Sequence, residues 1–377
     1  MKKLGLYIHI PFCIQKCYYC DFNSYAGLEA LRQEYVGCLI KEMHMYKERL
    51  GNRRIDTVYI GGGTPSCLPE SSIMAIMDAC AATFNLSAHC EISVESNPGT
   101  LSGQKLRAFK AHGINRLSIG LQSWHDADLK RLGRIHTQRQ FVDNFDAARQ
   151  AGFDNINIDL MFALPSQKPE QWGNTLDNII LLQPEHISCY SLKIEESTRF
   201  YTDYHAGRLK LPDEETDRHM YHQALQKLAQ HHYRHYEISN FAKTGFECRH
   251  NLIYWKCKDY VGIGAGAHSC LDGERYSNIC VPAEYIMQIQ DGSLPIAEST
   301  VLEVKDRMAE FMFLGLRLSE GISAQTFYDA FQTDIRSVFG SQIDKFIRLG
   351  LMKRQKERYQ LTAKGMDVSN QIFIEFI

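Results

Sequence analysis

Residues 7–23 have the sequence Tyr-Ile-His-Ile-Pro-Phe-Cys-Ile-Gln-Lys-Cys-Tyr-Tyr-Cys-Asp-Phe-Asn. Cys13, Cys17 and Cys20 follow a short apolar run with the spacing C-x3-C-x2-C. Cysteine thiolates hold iron-sulfur clusters, and a 4Fe-4S cube usually takes four of them, so three clustered cysteines would leave one iron without a protein ligand. An iron left open in this way can bind a small molecule. The segment therefore predicts a metal centre with one open position.

A zinc site and a set of unligated thiols are weaker alternatives for these cysteines. A structural zinc site needs a fourth ligand, and no His or Cys follows Cys20 at the usual spacing. His9 lies upstream and is expected to point from its strand into a packed interior. Three unligated buried thiols are disfavoured because cysteines rarely cluster at metal-binding spacing by chance.

The cysteine spacing resembles the motif of the radical S-adenosylmethionine (radical SAM) superfamily. In that superfamily the motif holds a 4Fe-4S cluster, and the methionine part of S-adenosylmethionine chelates the fourth iron. The resemblance implies that Cys13, Cys17 and Cys20 are the cluster ligands. It also implies a fold, a partial (β/α)6 barrel.

Composition describes an ordinary globular chain. With 377 residues, 44% of them hydrophobic, the chain is long enough for one large core and a smaller second unit. A formal net charge of -2 gives no electrostatic reason to expect general binding to nucleic acid. Twelve cysteines spread along so long a chain do not form a disulfide framework, and an iron-sulfur protein needs a reducing compartment. We therefore expect a cytoplasmic protein.

Hydrophobic periodicity predicts an α/β fold. Strands are expected at 6–10, 55–60, 91–95, 116–120, 155–160, 186–192 and 235–241, with amphipathic helices between them. Such alternation indicates a parallel sheet, although periodicity alone leaves open whether the sheet closes. In barrels of this kind the chemistry lies at the C-terminal ends of the strands.

Polar and glycine residues follow several of the predicted strands. Taken singly they are weak signals, because a glycine turn is usually only a turn and an acidic residue after a strand is often a helix cap. Their joint order resembles the radical SAM family that includes the oxygen-independent coproporphyrinogen III dehydrogenases. By that resemblance the S-adenosylmethionine-binding set is Tyr7, Gly62, Gly63, Thr64, Glu95, Gln122, Arg134 and Asp159.

Residues 250–255 have the pattern H-N-x-x-Y-W. On the residues alone, a packed aromatic turn with a hydrogen-bonded histidine is the simpler interpretation. The pattern resembles the signature of the haem chaperone branch of the same family, which implies that haem is bound here and delivered to respiratory haem proteins. His250 is then the first candidate haem ligand, because Tyr254 and Trp255 beside it offer flat faces to a porphyrin. His268 is the rival.

The resemblance divides the chain at residue 295. Residues 1–295 are expected to form the barrel with a haem-associated extension, and residues 296–377 a helical, winged-helix-like C-terminal domain. Basic residues in its predicted hairpin raise the alternative of a nucleic-acid-binding regulator, but a solvated hairpin face is the commoner cause of such a charge run, so no nucleic-acid partner is expected.

Within the family, a coproporphyrinogen III dehydrogenase is the main alternative to a haem chaperone. Those enzymes carry a further cysteine two residues beyond the third ligand, where this chain has Phe22, and an N-terminal extension, where only twelve residues precede Cys13. Both differences favour the chaperone. The resemblance leaves open whether radical chemistry is retained, whether the chain forms a homodimer and whether it associates transiently with membranes.

The cysteine spacing generates a first prediction. Anaerobically prepared protein should contain about four iron and four sulfide ions per chain, as a single cube requires. The Cys17→Ala variant should lose this cluster, whereas Cys257→Ala, outside the motif, should keep it. Iron and sulfide analysis together with the visible spectrum measures the difference. A full cluster in the Cys17→Ala protein would exclude the assignment.

Overall fold

Six parallel strands form the centre of the structure, a computed structural model that describes residues 4–377. The strands are β1 (Leu4–Ile10), β2 (Arg54–Gly62), β3 (Asn85–Ser96), β4 (Arg116–Gln122), β5 (Ile156–Phe162) and β6 (His186–Ser191). Each pairs in parallel with the next, so that chain order and spatial order coincide. The predicted α/β class and the parallel sheet are confirmed.

Helices separate the strands and cover the sheet. Up to residue 290 they are α1 (Arg32–Leu50), α2 (Glu70–Thr83), α3 (Gly103–Ala111), α4 (Asp126–Arg131), α5 (Gln138–Gln150), α6 (Pro169–Leu181), α7 (Arg199–His205), α8 (Glu214–Gln230), α9 (Arg249–Trp255) and α10 (Pro282–Gln290). The helical spacing of Tyr35, Leu39 and Met43 places all three on the buried face of α1. In residues 4–377 we find no helix with the length and apolarity that crossing a membrane requires.

The strand predicted at 235–241 is wrong as a single element. The chain folds back there into β7 (Arg234–Glu237) and β8 (Asn240–Ala242), and β8 pairs antiparallel with β6. The carboxylate of Glu237 stabilises this turn, since it accepts a hydrogen bond of 3.0 Å from the backbone N–H of Ser239. Tyr236 and Ile238 alternate with polar residues up to the turn, and Phe241 follows it, so periodicity alone did not separate the two strands.

The other side of the sheet was not predicted. β9 (Tyr260–Ile263) pairs in parallel with β1, and β10 (His268–Leu271), β11 (Glu274–Asn278) and β12 (Ile296–Val301) continue it in antiparallel order. Over residues 4–377 the edge strands β12 and β7 do not pair with each other, so the sheet is an open, partial barrel, as the resemblance implied. The domain boundary after residue 295 stays a prediction, and the large sheet itself extends to Val301.

The C-terminal residues pack around a second hydrophobic core, which includes Phe327, Ile343 and Tyr359. Its elements are α11 (Val304–Gly315), β13 (Ile322–Ser323), α12 (Ala324–Phe331), α13 (Ile335–Arg348), β14 (Met352–Gln355), β15 (Arg358–Leu361), α14 (Ala363–Asp367) and α15 (Ser369–Ile374). The three short strands form a separate antiparallel sheet beside the helices. Helices with a small hairpin sheet are the arrangement expected of a winged-helix-like unit.

A buried carboxylate joins α1 to the extended edge of the sheet. Glu42 is 0% exposed and accepts hydrogen bonds from the backbone N–H of Gly264 at 2.8 Å, the Nδ2 of Asn278 at 2.7 Å and the hydroxyl of Tyr285 at 2.7 Å. Gly264 has φ +103°, and a β carbon there would lie 2.6 Å from the carbonyl oxygen of His9, so only glycine fits. Glu42 therefore holds β9 and β11 in position against the end of β1.

Removing this carboxylate should destabilise the fold strongly. In Glu42→Ala three buried donors lose their acceptor, at about 1–3 kcal/mol each, so we expect a loss of about 3 kcal/mol or more. Urea unfolding followed by circular dichroism measures it. Glu48→Ala, at an exposed position of the same helix, is the matched control. Equal unfolding midpoints for the two variants would contradict this role of Glu42.

Candidate functional site

The three motif cysteines lie in the loop that follows β1. The hydroxyl of Thr64 donates to the Sγ of Cys13 at 3.6 Å, and the Nη1 of Arg134 donates to the Sγ of Cys17 at 3.6 Å. Cys13 is buried and Cys20 is half-buried, and burial raises the pKa of both thiols. The hydrogen bond from the Thr64 hydroxyl opposes this effect of burial on the pKa of Cys13.

The three motif thiols can serve a cluster without converging on one point. Among the residues that the structure describes, no three His, Cys, Asp or Glu side chains converge so closely that they could hold one ion. In a 4Fe-4S cube each cysteine binds its own iron, so the three sulfurs need not meet at one point. The guanidinium of Arg134 beside Cys17 also supplies positive charge where anionic thiolates and sulfides would collect.

Backbone hydrogen bonds fasten the cysteine loop to the turn after β2. The N–H of Gly63 donates to the carbonyl of Ile10 at 2.8 Å, and the N–H of Thr64 donates to the carbonyl of Phe12 at 2.8 Å. These bonds continue the β1–β2 ladder beyond the end of the regular strands. The Gly-Gly-Thr turn, predicted as part of the S-adenosylmethionine site, is therefore placed directly against the cysteines.

Asn97 links the two sides of the loop, although sequence reasoning did not single it out. Its Nδ2 donates to the hydroxyl of Thr64 at 2.9 Å, and its Oδ1 accepts from the Nη2 of Arg134 at 2.8 Å. A continuous chain of polar contacts thus runs from Cys13 through Thr64, Asn97 and Arg134 to Cys17. The available signal was its place two residues after Glu95 at the end of β3.

Glu95 and Gly62, two members of the predicted S-adenosylmethionine set, are in direct contact. The carboxylate of Glu95 accepts from the N–H of Gly62 at 3.0 Å and from the hydroxyl of Tyr59 at 2.8 Å. Burial raises the pKa of Glu95 to about 7, against the opposing effect of these hydrogen bonds. Asp159 lies further along the sheet and accepts from the hydroxyl of Ser118 at 2.9 Å.

The end of β4 brings Gln122 and Arg134 together. A β carbon on Gly120 would lie 2.9 Å from the Nε2 of Gln122, 3.0 Å from the Oδ1 of Asn97 and 3.1 Å from the Nη2 of Arg134. Arg134 also donates to the carbonyl of Gly120. These polar groups meet because position 120 carries no side chain.

A cavity of about 300 Å³ opens between the strands and the α9 segment. Its wall includes Tyr7, Tyr59 and Glu95 on the barrel side, His250, Tyr254 and Trp255 on α9, and Arg317 after α11. The guanidinium carbon of Arg317 lies 4.4 Å from the ring centre of Trp255, and its Nη2 lies 3.7 Å from the Oε2 of the buried Glu237. The H-N-x-x-Y-W segment and two residues of the predicted S-adenosylmethionine set therefore share one cavity.

His250 is 1% exposed at the start of α9. Its Nδ1 is hydrogen-bonded to the hydroxyl of Thr57 at 2.8 Å and its Nε2 to the hydroxyl of Tyr254 at 2.8 Å. Its ring also stacks on that of Tyr59 at 5.2 Å between centres, and burial lowers its pKa to about 3. Both ring nitrogens thus have protein partners. The assignment of His250 to haem binding stays a prediction, and His268 is exposed at the start of β10.

Comparisons with known proteins show which family the chain belongs to. The chain is 37% identical to the heme chaperone HemW of Bacillus subtilis (strain 168) over 98% of both chains. It is 34% identical to the heme chaperone HemW of Escherichia coli (strain K12) over 100% of this chain and 99% of the other. The chain belongs to the HemW family. The mitochondrial radical S-adenosyl methionine domain-containing protein 1 of Bos taurus is 36% identical over 83% of this chain and 68% of its own.

Two family models match separate parts of the chain. Residues 7–179 match the radical SAM superfamily and residues 302–368 match the HemN C-terminal domain. Among solved structures, coproporphyrinogen III oxidase (HemN) from Escherichia coli superposes with a TM-score of 0.87 at 23% identity, over 100% of this chain and 90% of the other. That likeness concerns the fold. The predicted superfamily and the partial barrel are confirmed, whereas the individual site residues remain predictions.

Proposed function

We propose that this protein is a haem chaperone built on a radical SAM scaffold. It holds a 4Fe-4S cluster and S-adenosylmethionine at the cysteine loop, binds haem beside α9 and delivers it to respiratory haem proteins. The observation that carries the proposal is the shared cavity, where the H-N-x-x-Y-W segment meets Tyr7 and Glu95. Sequence identity of 34% and 37% to proteins named heme chaperones, over nearly the full length of each chain, supports it.

In this proposal Cys13, Cys17 and Cys20 would hold the cluster, which would leave one iron for the cofactor. The cluster supplies a reducible Lewis-acidic centre. The chain's own residues position the organic part: the glycine turn offers backbone amides close to the loop, and Glu95 offers a carboxylate. Arg134 holds the loop closed from the opposite side through Cys17.

The cavity offers aromatic surfaces to a flat ligand. Haem is a planar porphyrin with carboxylate side chains, so it needs aromatic surfaces and a cation. The rings of Tyr7, Tyr59, Tyr254 and Trp255 supply the surfaces. Arg317 is the cation in the wall, where the carboxylates of Glu95 and Glu237 also lie. The proposed haem site therefore takes its binding groups both from the barrel and from the segment after α11.

The alternative of a coproporphyrinogen III dehydrogenase is less well supported. The position of the further cysteine of those enzymes is occupied by Phe22, which is 63% exposed in the cysteine loop. The likeness to HemN lies below a quarter in sequence identity and carries the fold alone.

The proposal includes a cytoplasmic location, because all twelve cysteines are free in the structure and a 4Fe-4S cluster needs a reducing medium. The proposal is compatible with a homodimer and with a transient association with membranes. Identification of the acceptor requires transfer experiments with candidate apo-proteins.

Binding of S-adenosylmethionine should change the electron paramagnetic resonance spectrum of the reduced cluster, since the cofactor contacts iron directly. In Glu95→Ala the concentration that gives half of this change should rise about tenfold or more, equal to about 1.4 kcal/mol, because a carboxylate contact is lost. The iron content should not change. Asp154→Ala, whose side chain is 87% exposed, is the matched control. An unchanged spectrum in the intact protein at saturating cofactor would contradict this part of the proposal.

Haem and coproporphyrinogen III titrations of the anaerobically reconstituted protein test the function itself. Added haem should give a Soret band and pass to an apo-cytochrome, and coproporphyrinogen III with a reductant should yield no protoporphyrinogen IX. Cys17→Ala should lose the cluster and still bind haem, because the cavity at α9 contains no cysteine. Turnover of coproporphyrinogen III, or no Soret band with haem, would overturn the proposal.

A further inference from the structure

The segment between β6 and α8, residues 192–213, contains α7 and lies against one turn of the cysteine loop; we call this segment the strap. The turn comprises residues 17–20 and is closed by a hydrogen bond of 3.2 Å from the N–H of its last residue to the carbonyl of its first. Two of the three motif cysteines stand at its ends. Residues 14–16 and 21–22 are exposed, whereas all four residues of the turn are half-buried. The exposure of the loop falls at this turn, and the strap is what contacts it there.

The strap holds the two central residues of the turn, Tyr18 and Tyr19. The N–H of Phe200 donates to the carbonyl of Tyr18 at 2.9 Å, and the N–H of Tyr18 donates to the carbonyl of Leu132 at 3.0 Å. Phe200 lies in the first turn of α7, where N–H groups have no acceptor within the helix, so its N–H is available for this contact. The backbone of the turn is thus fastened both to the strap and to the end of α4.

Aromatic side chains add to this backbone bond. The ring of Phe200 lies 6.3 Å from that of Tyr18 and 6.4 Å from that of Tyr19, centre to centre. Phe200 is 2% exposed and is the one residue of α7 that is buried. The guanidinium carbon of Arg199 lies 4.0 Å from the ring centre of Tyr18, and a β carbon on Gly133 would lie 2.8 Å from the same ring. One side chain, Phe200, therefore anchors α7 to both central residues of the turn.

The strap packs through a small group of apolar side chains that is separate from the two larger cores. Its buried members are Leu132, Met161, Leu164, Leu192 and Phe200. A backbone hydrogen bond of 2.9 Å from the N–H of Ser166 to the carbonyl of Lys210 fixes the strap again before α8. Because Phe200 lies outside the main core, its truncation tests the strap rather than the sheet.

We infer that the strap is a cover for the turn at residues 17–20, with Phe200 as a positioning residue for the 4Fe-4S cluster. The inference rests on the proposed function, which places two cluster ligands at the ends of this turn. The apolar surroundings of a metal centre control how much water reaches it, and thereby its reduction potential. Phe200 acts through Tyr18 and Tyr19, whose backbone carries a cysteine on either side.

Transfer of cluster iron to a water-soluble ferrous chelator, measured anaerobically on the reduced full-length protein, tests the inference. Phe200→Ala should release iron about tenfold faster than the wild type, which is the size of effect usual for groups that support metal ligands. Its reduction potential should become less negative, because reduction adds negative charge that water stabilises. Phe200→Leu, which keeps an apolar side chain at this position, should restore most of both differences.

Three further variants separate the anchor from a general loss of stability. Thr198→Ala removes the side chain that accepts from the N–H of Tyr201 at 3.1 Å, so α7 should loosen and iron release should accelerate, but less than in Phe200→Ala. Tyr204→Ala removes an aromatic ring from the same helix at a position that is 45% exposed, and should change neither value. Phe327→Ala, in the second core, should lower the midpoint of unfolding and leave iron release unchanged.

The possible failures are distinguishable. No cluster in the reconstituted wild type would refute the cluster and with it that part of the proposed function. A wild-type cluster, together with unchanged iron release and potential in a folded Phe200→Ala, would overturn this inference alone, as would an equal acceleration in Tyr204→Ala. If Phe200→Ala takes up no cluster, Thr198→Ala decides: faster release than in the wild type supports the cover, and release at the wild-type rate overturns it.

Discussion

The cysteine loop depends on two backbone hydrogen bonds that extend the pairing of β1 with β2. Because Gly63 and Thr64 donate to the carbonyls of Ile10 and Phe12, the loop cannot move independently of the glycine turn. Thr64 is also the residue that hydrogen-bonds Cys13, so one segment sets both the backbone path and a thiol's surroundings. Further contacts, through Asn97 and Arg134, hold the loop from the side of β4. The extended β1–β2 pairing thus fixes the backbone of the cysteine loop.

A stack of aromatic rings joins the polar groups near the cysteines to the α9 segment. Tyr7 on β1 and Tyr59 on β2 are 6.3 Å apart between ring centres, and His250 on α9 stacks on Tyr59. Tyr59 also donates to Glu95, which in turn holds the N–H of Gly62. The polar groups near the cysteines and the aromatic segment of α9 are consequently parts of one packed arrangement.

Sequence patterns predicted the first six strands from short apolar runs, which are buried at nearly every position. They predicted most of the helices between the strands from a helical period with one buried face. They failed where local chemistry overrides period, as in the reversal at Ile238 and Ser239 that divides the predicted strand 235–241. They also missed β9 to β12, whose short length leaves little periodic signal. Cysteine spacing identified the loop, but Asn97 acts through distances that only the folded chain defines. For His250 the motif indicated the segment, and the fold disclosed that both ring nitrogens are bonded.

The contact of Arg317 with Trp255 places one wall of the cavity outside the main sheet. Arg317 follows α11, whose residues pack on the second core, and the neighbouring Leu318 bridges to Glu237. Because Leu318 bridges to Glu237 and the Nη2 of Arg317 lies 3.7 Å from the Oε2 of Glu237, this wall is fastened to β7 at the edge of the large sheet. The shape of the cavity therefore depends on the packing of both hydrophobic cores.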